Sequence, residues 1–439
     1  MSEIIVCKFG GSSVAKYETV QKIKKRIIAG DSRRRVVVVS APGKRSPDDR
    51  KVTDMLIELA KTKDDALVRA ITEKYMCVCP EGDVKSVEDL ICQRIKQNLP
   101  DNEYLDSMKA LGEEACARFL APFFGAEFVD VRELLRLTPD FGDAKILPES
   151  QELIRKRLSG NGLYIVPGFY GMTADGRVAT LSRGGSDTTG AWVAAALDAI
   201  LYENYTDING VRAASFEIVP DAKKIDELTF RELRDLSYSG FNVFHPEAVA
   251  PVARKGIPIH IRSTKDYPKN GTCVVADRAG DPLRPIVGVA YQNGFCAFNI
   301  EKYGLNETVG IEHDILGIFK ARGMSVEHTP SGIDDFSVVL KRGQLKEAGQ
   351  VNHLRNDILS VAGEGASADF IDDLGIVVVA GKDLRGRRGI SADVERTVAD
   401  ADVNIIFTSQ GVRERCMIIG VADRDGKKAV NAIYDRFLR

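Results

Sequence analysis

The chain has 439 residues, of which 44% are hydrophobic and 28% charged, and its formal net charge is −2. That length allows roughly two to four domains with an ample core. A near-neutral balance without a basic tail, charge block or low-complexity tract recommends neither nucleic acid nor any other polyanion as partner.

Met1 runs directly into the apolar segment Ile4–Phe9, with no charged start followed by an apolar stretch. No signal peptide is therefore expected. No window approaches the roughly 18 apolar residues of a membrane span, so the expected location is the cytoplasm, away from membranes. Eight cysteines are scattered along the chain, and only Cys77 and Cys79 stand close together. That spacing is not the Cys-x-x-Cys pattern of zinc or redox sites, so free thiols and no resident metal are expected. The five histidines are equally dispersed.

Ile4–Phe9 is an apolar run bounded by glycines and predicts a buried strand. Thr19–Ala29 carries Val20, Ile23, Ile27 and Ile28 at helical spacing, and Arg35–Ser40 is a second buried strand. Val52–Lys61 predicts a helix with Met55, Leu56 and Leu59 on one face. The largely charged stretch Thr62–Asp106 reads as a helical insertion or lid. Short strands follow at Ala126–Asp130 and Leu163–Pro167, then a helix at Gly190–Leu197 and strands at Leu201–Tyr205 and Ile257–Ile261. This alternation predicts an α/β fold with a mostly parallel sheet covered by helices on both faces. Such sheets bind ligands beyond the carboxyl ends of their strands. Phe9, Ser40, Pro167 and Tyr205 stand at such ends.

Two prolines in Asp281–Pro285 suggest a linker, beyond which the chain repeats itself. Gly310 and Gly389 both open helical stretches, and Gly332 and Gly411 both follow strand-like segments (Ser325–His328 and Asn404–Phe407). Both glycine pairs stand 79 residues apart. Each copy reads as strand–helix–strand–strand–helix, a small α+β unit.

Three segments could carry chemistry. Lys8-Phe9-Gly10-Gly11-Ser12-Ser13 follows a buried strand and precedes a helix. Its glycine amides and the helix N-terminus could cradle an anion that Lys8 also reaches; a tight turn with a solvated lysine is the alternative. Ser182-Arg183-Gly184-Gly185-Ser186-Asp187 places a guanidinium, flexible glycines, a hydroxyl and a carboxylate before a helix. Arginine can take a carboxylate in bidentate fashion, while Ser186 or Asp187 could be simple helix caps. Tyr205–Val211 is either a nucleotide contact or a plain loop.

Together with Val39-Ser40-Ala41, Gly112-Glu113, Pro167-Gly168-Phe169 and Phe244-His245-Pro246, these segments resemble the amino acid kinase family, in its aspartate kinase branch. The C-terminal repeat resembles that branch's paired ferredoxin-like ACT domains. The resemblance implies a kinase domain over 1–285 and ACT domains over 286–372 and 373–439, with Ile286–Tyr291 able to complete the second. It implies transfer of the ATP γ-phosphate to the side-chain carboxylate of L-aspartate, the start of lysine, threonine and methionine synthesis, with Mg²⁺ carried by ATP. By similarity, Lys8 contacts the transferring phosphate, the Gly10 and Gly11 amides line it, and Phe9 and Ser12 belong to the same ATP-binding stretch. Ser40, Thr53, Phe169, Gly184 and Ser186 would shape the aspartate site. Arg183 would hold the α-carboxylate, Glu113 the amino group, and Asp187 would position Lys8. Thr206, Asp207 and Arg212 would lie by the nucleotide. The acceptor carboxylate, with an ordinary pKa of about 3.9, is already ionised, so no general base is needed. What the reaction needs is positioned cations and amides.

ACT domains commonly bind an amino acid at a seam between them. The turn containing Ser331, Ile333 and Asp334, with the helix start near Asn306–His313, is the candidate effector site, a plain turn being the alternative. Feedback by lysine or threonine, with lysine preferred, is expected, and so is a homodimer or dimer of dimers formed through these domains. The chain departs from the family at two points. Ser215-Phe216-Glu217 stands where many members have Asp-Pro-Arg, and Asn242 stands where many have lysine. These departures leave a second reading, a catalytically weak paralogue acting as an amino-acid-binding regulatory subunit.

Overall fold

The computed structural model describes residues 3–182, 184–238, 240, 244–281 and 283–439. The chain forms two compact units. One is Met1–Val211, Lys224–Ser237 and Asn242–Arg278; the other is Arg212–Lys223, Tyr238–Phe241 and Ala279–Arg439. The chain enters the second unit twice, at Arg212–Lys223 and Tyr238–Phe241, before it stays there from Ala279 onward.

In the first unit the strands are β1 (Ile5–Phe9), β2 (Arg34–Val39), β3 (Glu127–Phe128), β4 (Arg136–Leu137), β5 (Tyr164–Pro167), β6 (Tyr170–Thr173), β7 (Val178–Thr180), β8 (Leu201–Thr206), β9 (Glu227–Thr229), β10 (Ile259–Ser263) and β11 (Thr272–Val275). The helices are α1 (Tyr17–Lys22), α2 (Val52–Thr62), α3 (Asp65–Val78), α4 (Val84–Ile95), α5 (Asp101–Phe124), α6 (Ser150–Leu158), α7 (Gly185–Ala196), α8 (Phe230–Tyr238) and α9 (Pro246–Lys255). The described residues give an eight-stranded sheet in the order β3-β5-β2-β1-β8-β10-β11-β9. It is parallel except where β10 meets β11. β4, β6 and β7 form a smaller sheet.

Alternation along β1 decides what faces where, because successive side chains point to opposite faces. Cys7 and Phe9 join a core cluster with residues of α2, α3 and α5. Lys8 takes the opposite face, where α7 packs on β1, β2 and β8. Gly190 sits inside α7 because a Cβ there would lie 2.5 Å from the Tyr202 hydroxyl. That close approach of helix to strand carries the helix cost of glycine.

Three expectations need correction. Thr62–Asp106 is not a lid: Leu67, Val68, Ile71, Tyr75 and Val78 of α3 and Val87 and Ile91 of α4 belong to the same core as β1 and β2, and the Tyr75 hydroxyl donates to the Gly112 carbonyl at 2.9 Å. The charges lie on the outer faces of amphipathic helices. The helix expected at Gly190 begins at Gly185, and Ser325–His328 is no strand. His328 makes only an isolated bridge to Val339, and Pro330, which has no N–H to donate, stands just beyond it.

The second unit contains β12 (Gly288–Glu301), β13 (Asp335–Lys341), β14 (Ser367–Ala380), β15 (Ile405–Ser409) and β16 (Cys416–Val421), with α10 (Ile311–Ala321), α11 (Gln350–Ala362), α12 (Ile390–Asp400) and α13 (Gly426–Phe437). Its described strands pair in the order β13-β12-β14-β16-β15. β12 and β14 are both 14 residues long and start 79 residues apart, as do α10 and α12. The two long strands pair antiparallel, Gly288 with Ala380 and Glu301 with Ser367, so the copies are related about their centre. Gly288–Gln292 lies beside Ile376–Ala380, the stretch that also pairs with β16. Arg212–Lys223 is held within this unit, where the Val289 amide donates to the Ala213 carbonyl at 2.8 Å and the Tyr434 hydroxyl accepts from the Lys223 amide at 2.8 Å. Among the described residues no helix is long and apolar enough to cross a membrane.

A buried ionic knot joins three strands of the main sheet. Glu203 on β8, 2% exposed, is gripped by Arg34 of β2 through Nε at 2.6 Å and Nη2 at 2.9 Å. It also accepts from the Tyr205 hydroxyl at 3.1 Å and from Arg262 of β10 at 3.4 Å. Removing one partner of such a pair strands the other charge in the core. Arg34→Met should lower the unfolding free energy by about 3 kcal/mol in urea titrations; an unchanged midpoint and slope would show that the knot carries no stability.

Candidate active site

The site grows from the carboxyl ends of β1, β2, β5 and β8. Phe9 stacks on Tyr205 with ring centroids 4.8 Å apart and is wholly buried, so its side chain is core. Lys8, one residue earlier and 7% exposed, sends Nζ to Asp187 Oδ1 at 2.6 Å. Asn204, paired with Lys8 across the sheet, donates to the same oxygen at 2.7 Å. Asp187 lies in the first turn of α7, where the helix dipole favours a negative charge. A nearly buried ion pair is weak as a stabiliser, because desolvation offsets much of its attraction. Its effect here is to fix where one cation stands.

Beyond Lys8 the loop after β1 runs against the loop after β2. The Ser40 amide donates to the Phe9 carbonyl at 3.1 Å, and the Gly43 amide to the Gly11 carbonyl at 2.9 Å. A Cβ on Gly11 would lie 2.6 Å from the Ala41 carbonyl oxygen, and one on Gly43 2.8 Å from the Gly11 carbonyl carbon. Only glycine permits this crossing. The two loops line a cavity of about 630 Å³ that includes Gly11, Ser12, Ser40, Asp207, Lys51 and Lys265. Exposed backbone at two loops, hydroxyls and several cations suit a polyphosphate.

A second cavity, of about 410 Å³, lies on the α7 side. Of the residues expected to shape the acceptor site, it gathers Ser40, Thr53, Glu113, Phe169, Gly184 and Ser186, together with Lys8 and Asp187. Arg183 lies outside the described residues, as does Asn242. Phe169 has φ +79, a left-handed backbone that costs a bulky residue about 1 kcal/mol or more and that clusters at functional sites. Its amide donates to Thr189 Oγ1 at 3.1 Å and its carbonyl accepts from the Leu181 amide at 2.8 Å. A Cβ on Gly168 would lie 2.7 Å from Ser186 Cβ, so the end of β5 presses on the start of α7. Gly184, with φ +83, leaves room for His245, whose Cβ a side chain there would meet at 2.5 Å.

Glu113 belongs to both cavities. It is 5% exposed, and its Oε2 has no hydrogen-bond partner. Burial pushes its carboxyl up to about 8, against smaller opposing effects from the amides of Ala41 and of Glu113 itself. A buried acceptor left unsatisfied is costly and here faces a cavity. It is ready for a cationic donor.

Other expected residues line neither of these two cavities. Thr206 ends β8, and its hydroxyl donates to Asp207 Oδ1 at 2.9 Å. Gly10 donates to the Tyr205 carbonyl at 3.0 Å. Arg212 belongs to the second unit, where its guanidinium donates to the Ala222 carbonyl at 2.6 Å. In that unit Ile333 and the Asn306–Glu312 segment line a cavity of about 340 Å³. Asp334 instead shapes the turn, accepting from the Gly304 amide at 2.8 Å, and Ser331 bridges to Phe336.

Sequence reasoning missed Lys51, Lys109 and Lys265. Lys109 lines the acceptor-side cavity and is held at 3.1 Å by Asp106, whose other oxygen accepts from the Gly142 and Thr180 amides at 2.7 and 2.8 Å. Lys265 reaches the nucleotide-side cavity because Thr264 is tied to Ser13 by a 2.7 Å hydroxyl pair. No local motif marks any of the three. Among the described residues no group of three or more metal-ligating side chains forms.

The amino acid kinase family model matches residues 3–263, and an ACT domain model matches residues 377–437. Aspartokinase 3 of Bacillus subtilis is 37% identical, over 98% of this chain and 98% of its own length. The lysine-sensitive aspartokinase 3 of Escherichia coli is 26% identical, with 99% of both chains covered. Among solved structures, the aspartate kinase of Clostridium acetobutylicum aligns with a TM-score of 0.84 at 34% identity, over 99% of this chain and all of that one. The E. coli aspartokinase III complex with aspartate and ADP aligns over the whole of both chains at 0.81 and 24% identity, a likeness of fold.

Carboxyl 113 gives this site a pH signature. Folded, it keeps its proton up to about pH 8; unfolded, it loses it near the ordinary 4.5. The folded state binds the extra proton, so stability falls as pH rises between those values, by up to about 1.4 kcal/mol per unit. Glu113→Gln should lack that contribution, so its stability relative to wild type should climb with pH across the window and level off above 8. Parallel pH profiles in denaturant unfolding would contradict the assignment.

Proposed function

The chain belongs to the amino acid kinase family, in its aspartokinase branch, and from that membership we propose how its residues divide the work of the reaction. The activity is aspartate kinase: the γ-phosphate of ATP passes to the side-chain carboxylate of L-aspartate, giving ADP and 4-phospho-L-aspartate. The observation that carries the assignment of roles is the adjacency of the two cavities, one lined by the glycine loops and the other by Lys8, Glu113 and Ser186, with Ser40, Lys51, Thr53 and Glu113 common to both.

ATP is read into the glycine-loop cavity, its phosphates against Gly11 and Ser12, with Asp207 and Thr206 on the nucleotide side. Aspartate is read into the other cavity. Glu113 accepts from its ammonium, which repays the desolvation that holds this carboxyl up. Arg183 takes the α-carboxylate, and the Phe169 backbone and Ser186 close around the rest. Lys8, fixed by Asp187, meets the charge that develops on the phosphoryl oxygens. A Mg²⁺ ion arriving with ATP would supply further neutralisation of the polyphosphate charge. No side chain takes a proton, because the nucleophile is already an anion.

The ACT match over 377–437 covers the second copy of the repeat. We assign the first copy to a second ACT domain, on the matching lengths and 79-residue offset of β12 with β14 and of α10 with α12. The cavity beside Ile333 carries the carboxylates of Glu312 and Asp335, which suits a cationic amino acid, so lysine is the preferred effector and threonine the alternative. Self-association through these domains as a homodimer or dimer of dimers completes the reading, and a monomeric mass by light scattering would exclude it. The setting is the cytoplasm.

Hydroxylamine trapping of the acyl phosphate tests the activity. Wild type should turn over with ATP·Mg and aspartate, and Lys8→Ala should lose about 100- to 1000-fold in kcat. A folded wild type without turnover would favour a regulatory subunit. Regulation is tested with millimolar L-lysine, which should slow the reaction, and Asp335→Asn should raise the half-inhibiting concentration about tenfold, the loss expected for one charge contact. Indifference of both rate and melting temperature to lysine and to threonine would remove this site from the account.

A further inference from the structure

Lys51 immediately precedes α2 and lines both cavities. No other lysine or arginine among the described residues does so: Lys8 and Lys109 line only the acceptor side, and Lys44, Arg45 and Lys265 only the nucleotide side. Three of these cations are already committed. Lys8 is paired with Asp187, Lys109 with Asp106 and Arg45 with Asp49. The Lys51 ammonium has no hydrogen-bond or ion-pair partner among the described residues.

Local stability does not account for it. Lys51 is the N-cap of α2, with φ −77 and ψ 146, and its side chain makes no capping bond. Serine, threonine, aspartate or asparagine would satisfy an open amide there, whereas a cation opposes the positive end of the helix dipole. An exposed, unpaired lysine in that position costs stability. What it offers is a mobile positive charge where a group leaving one cavity enters the other.

We propose that Lys51 is a catalytic residue that contacts the transferring phosphoryl group, a second cation acting with Lys8. This rests on the aspartate kinase reading. As an oxygen of the aspartate side-chain carboxylate forms its bond to the γ-phosphorus, the bond from that phosphorus to the β,γ-bridging oxygen breaks, and ADP leaves with the electron pair. Charge spreads over the three equatorial oxygens during this passage. Lys8 reaches them from the acceptor side and Lys51 from the seam between the cavities. Lys51 stays protonated throughout and transfers nothing.

The test is steady-state hydroxamate kinetics of wild type, Lys51→Met and Lys51→Arg, varying ATP·Mg and aspartate independently, with thermal unfolding of each protein. Lys51→Met should unfold no lower than wild type and lose about 100-fold in kcat. Each KM should stay within about threefold, the pattern of an interaction made in the transition state. Lys51→Arg, which keeps the charge, should recover at least about tenfold of that loss. A Lys51→Met kcat within about threefold of wild type, or a loss confined to the KM for ATP, would overturn the proposal. Wild type inactive toward aspartate would instead remove the reading on which it rests.

Discussion

Repulsion between two anions is the constraint on which the first unit is built. A carboxylate must approach a triphosphate closely, and two unit charges 4 Å apart repel by about 4 kcal/mol even at an effective dielectric of 20. A parallel sheet meets this with geometry. All its parallel strands end on one side, so loops from β1, β2, β5 and β8 converge there, and the N-terminus of α7 points the same way. The strand interiors are wholly buried, as Val36–Val39 illustrate, so the cations that compensate the repulsion must come from strand ends and loops. Lys8 is the cation proposed for that part, and Asp187 holds it in one orientation.

Specificity for an amino acid draws on the opposite tactic. Glu113 is a carboxylate placed where it is poorly solvated, with one oxygen lacking any partner. Alone it is held protonated to about pH 8; beside an ammonium group it would ionise and gain a strong hydrogen bond. In the proposed division of roles, the ammonium of aspartate offsets that cost. The left-handed Phe169 and the tight contacts of Gly168 and Gly184 belong to the same economy, since they hold the wall of that pocket in a conformation the chain would not adopt by itself.

Much of this was legible in the sequence, for reasons that differ by residue. β1 and β2 are largely apolar runs flanked by turn residues, and that makes them readable. The Lys8–Ser13 and Ser182–Asp187 segments are local, so spacing alone brings their groups together. Glu113 was legible only through resemblance, because nothing in Leu111-Gly112-Glu113-Glu114 says which carboxylate is buried against a cavity. Lys51, Lys109 and Asp106 were not legible, since their positions depend on loops that meet only in three dimensions. The charged surface of α3 and α4 hid their apolar faces. Strands of two or three residues, such as β4 and β9, are too short for any period to show. Arg212 was displaced for another reason: a segment adjoining the nucleotide motif in sequence folds into the second unit.

The measurement that bears most directly on the account follows the oxygen atom. Aspartate labelled with ¹⁸O in its side-chain carboxylate, incubated with ATP·Mg and the enzyme, gives a product whose phosphorus can be read by ³¹P NMR before it hydrolyses. Direct attack by the carboxylate in one cavity on the γ-phosphorus in the other predicts an acyl phosphate with one ¹⁸O bonded to phosphorus. Unlabelled phosphorus in that product would contradict it and would mean that the carboxylate is not the nucleophile.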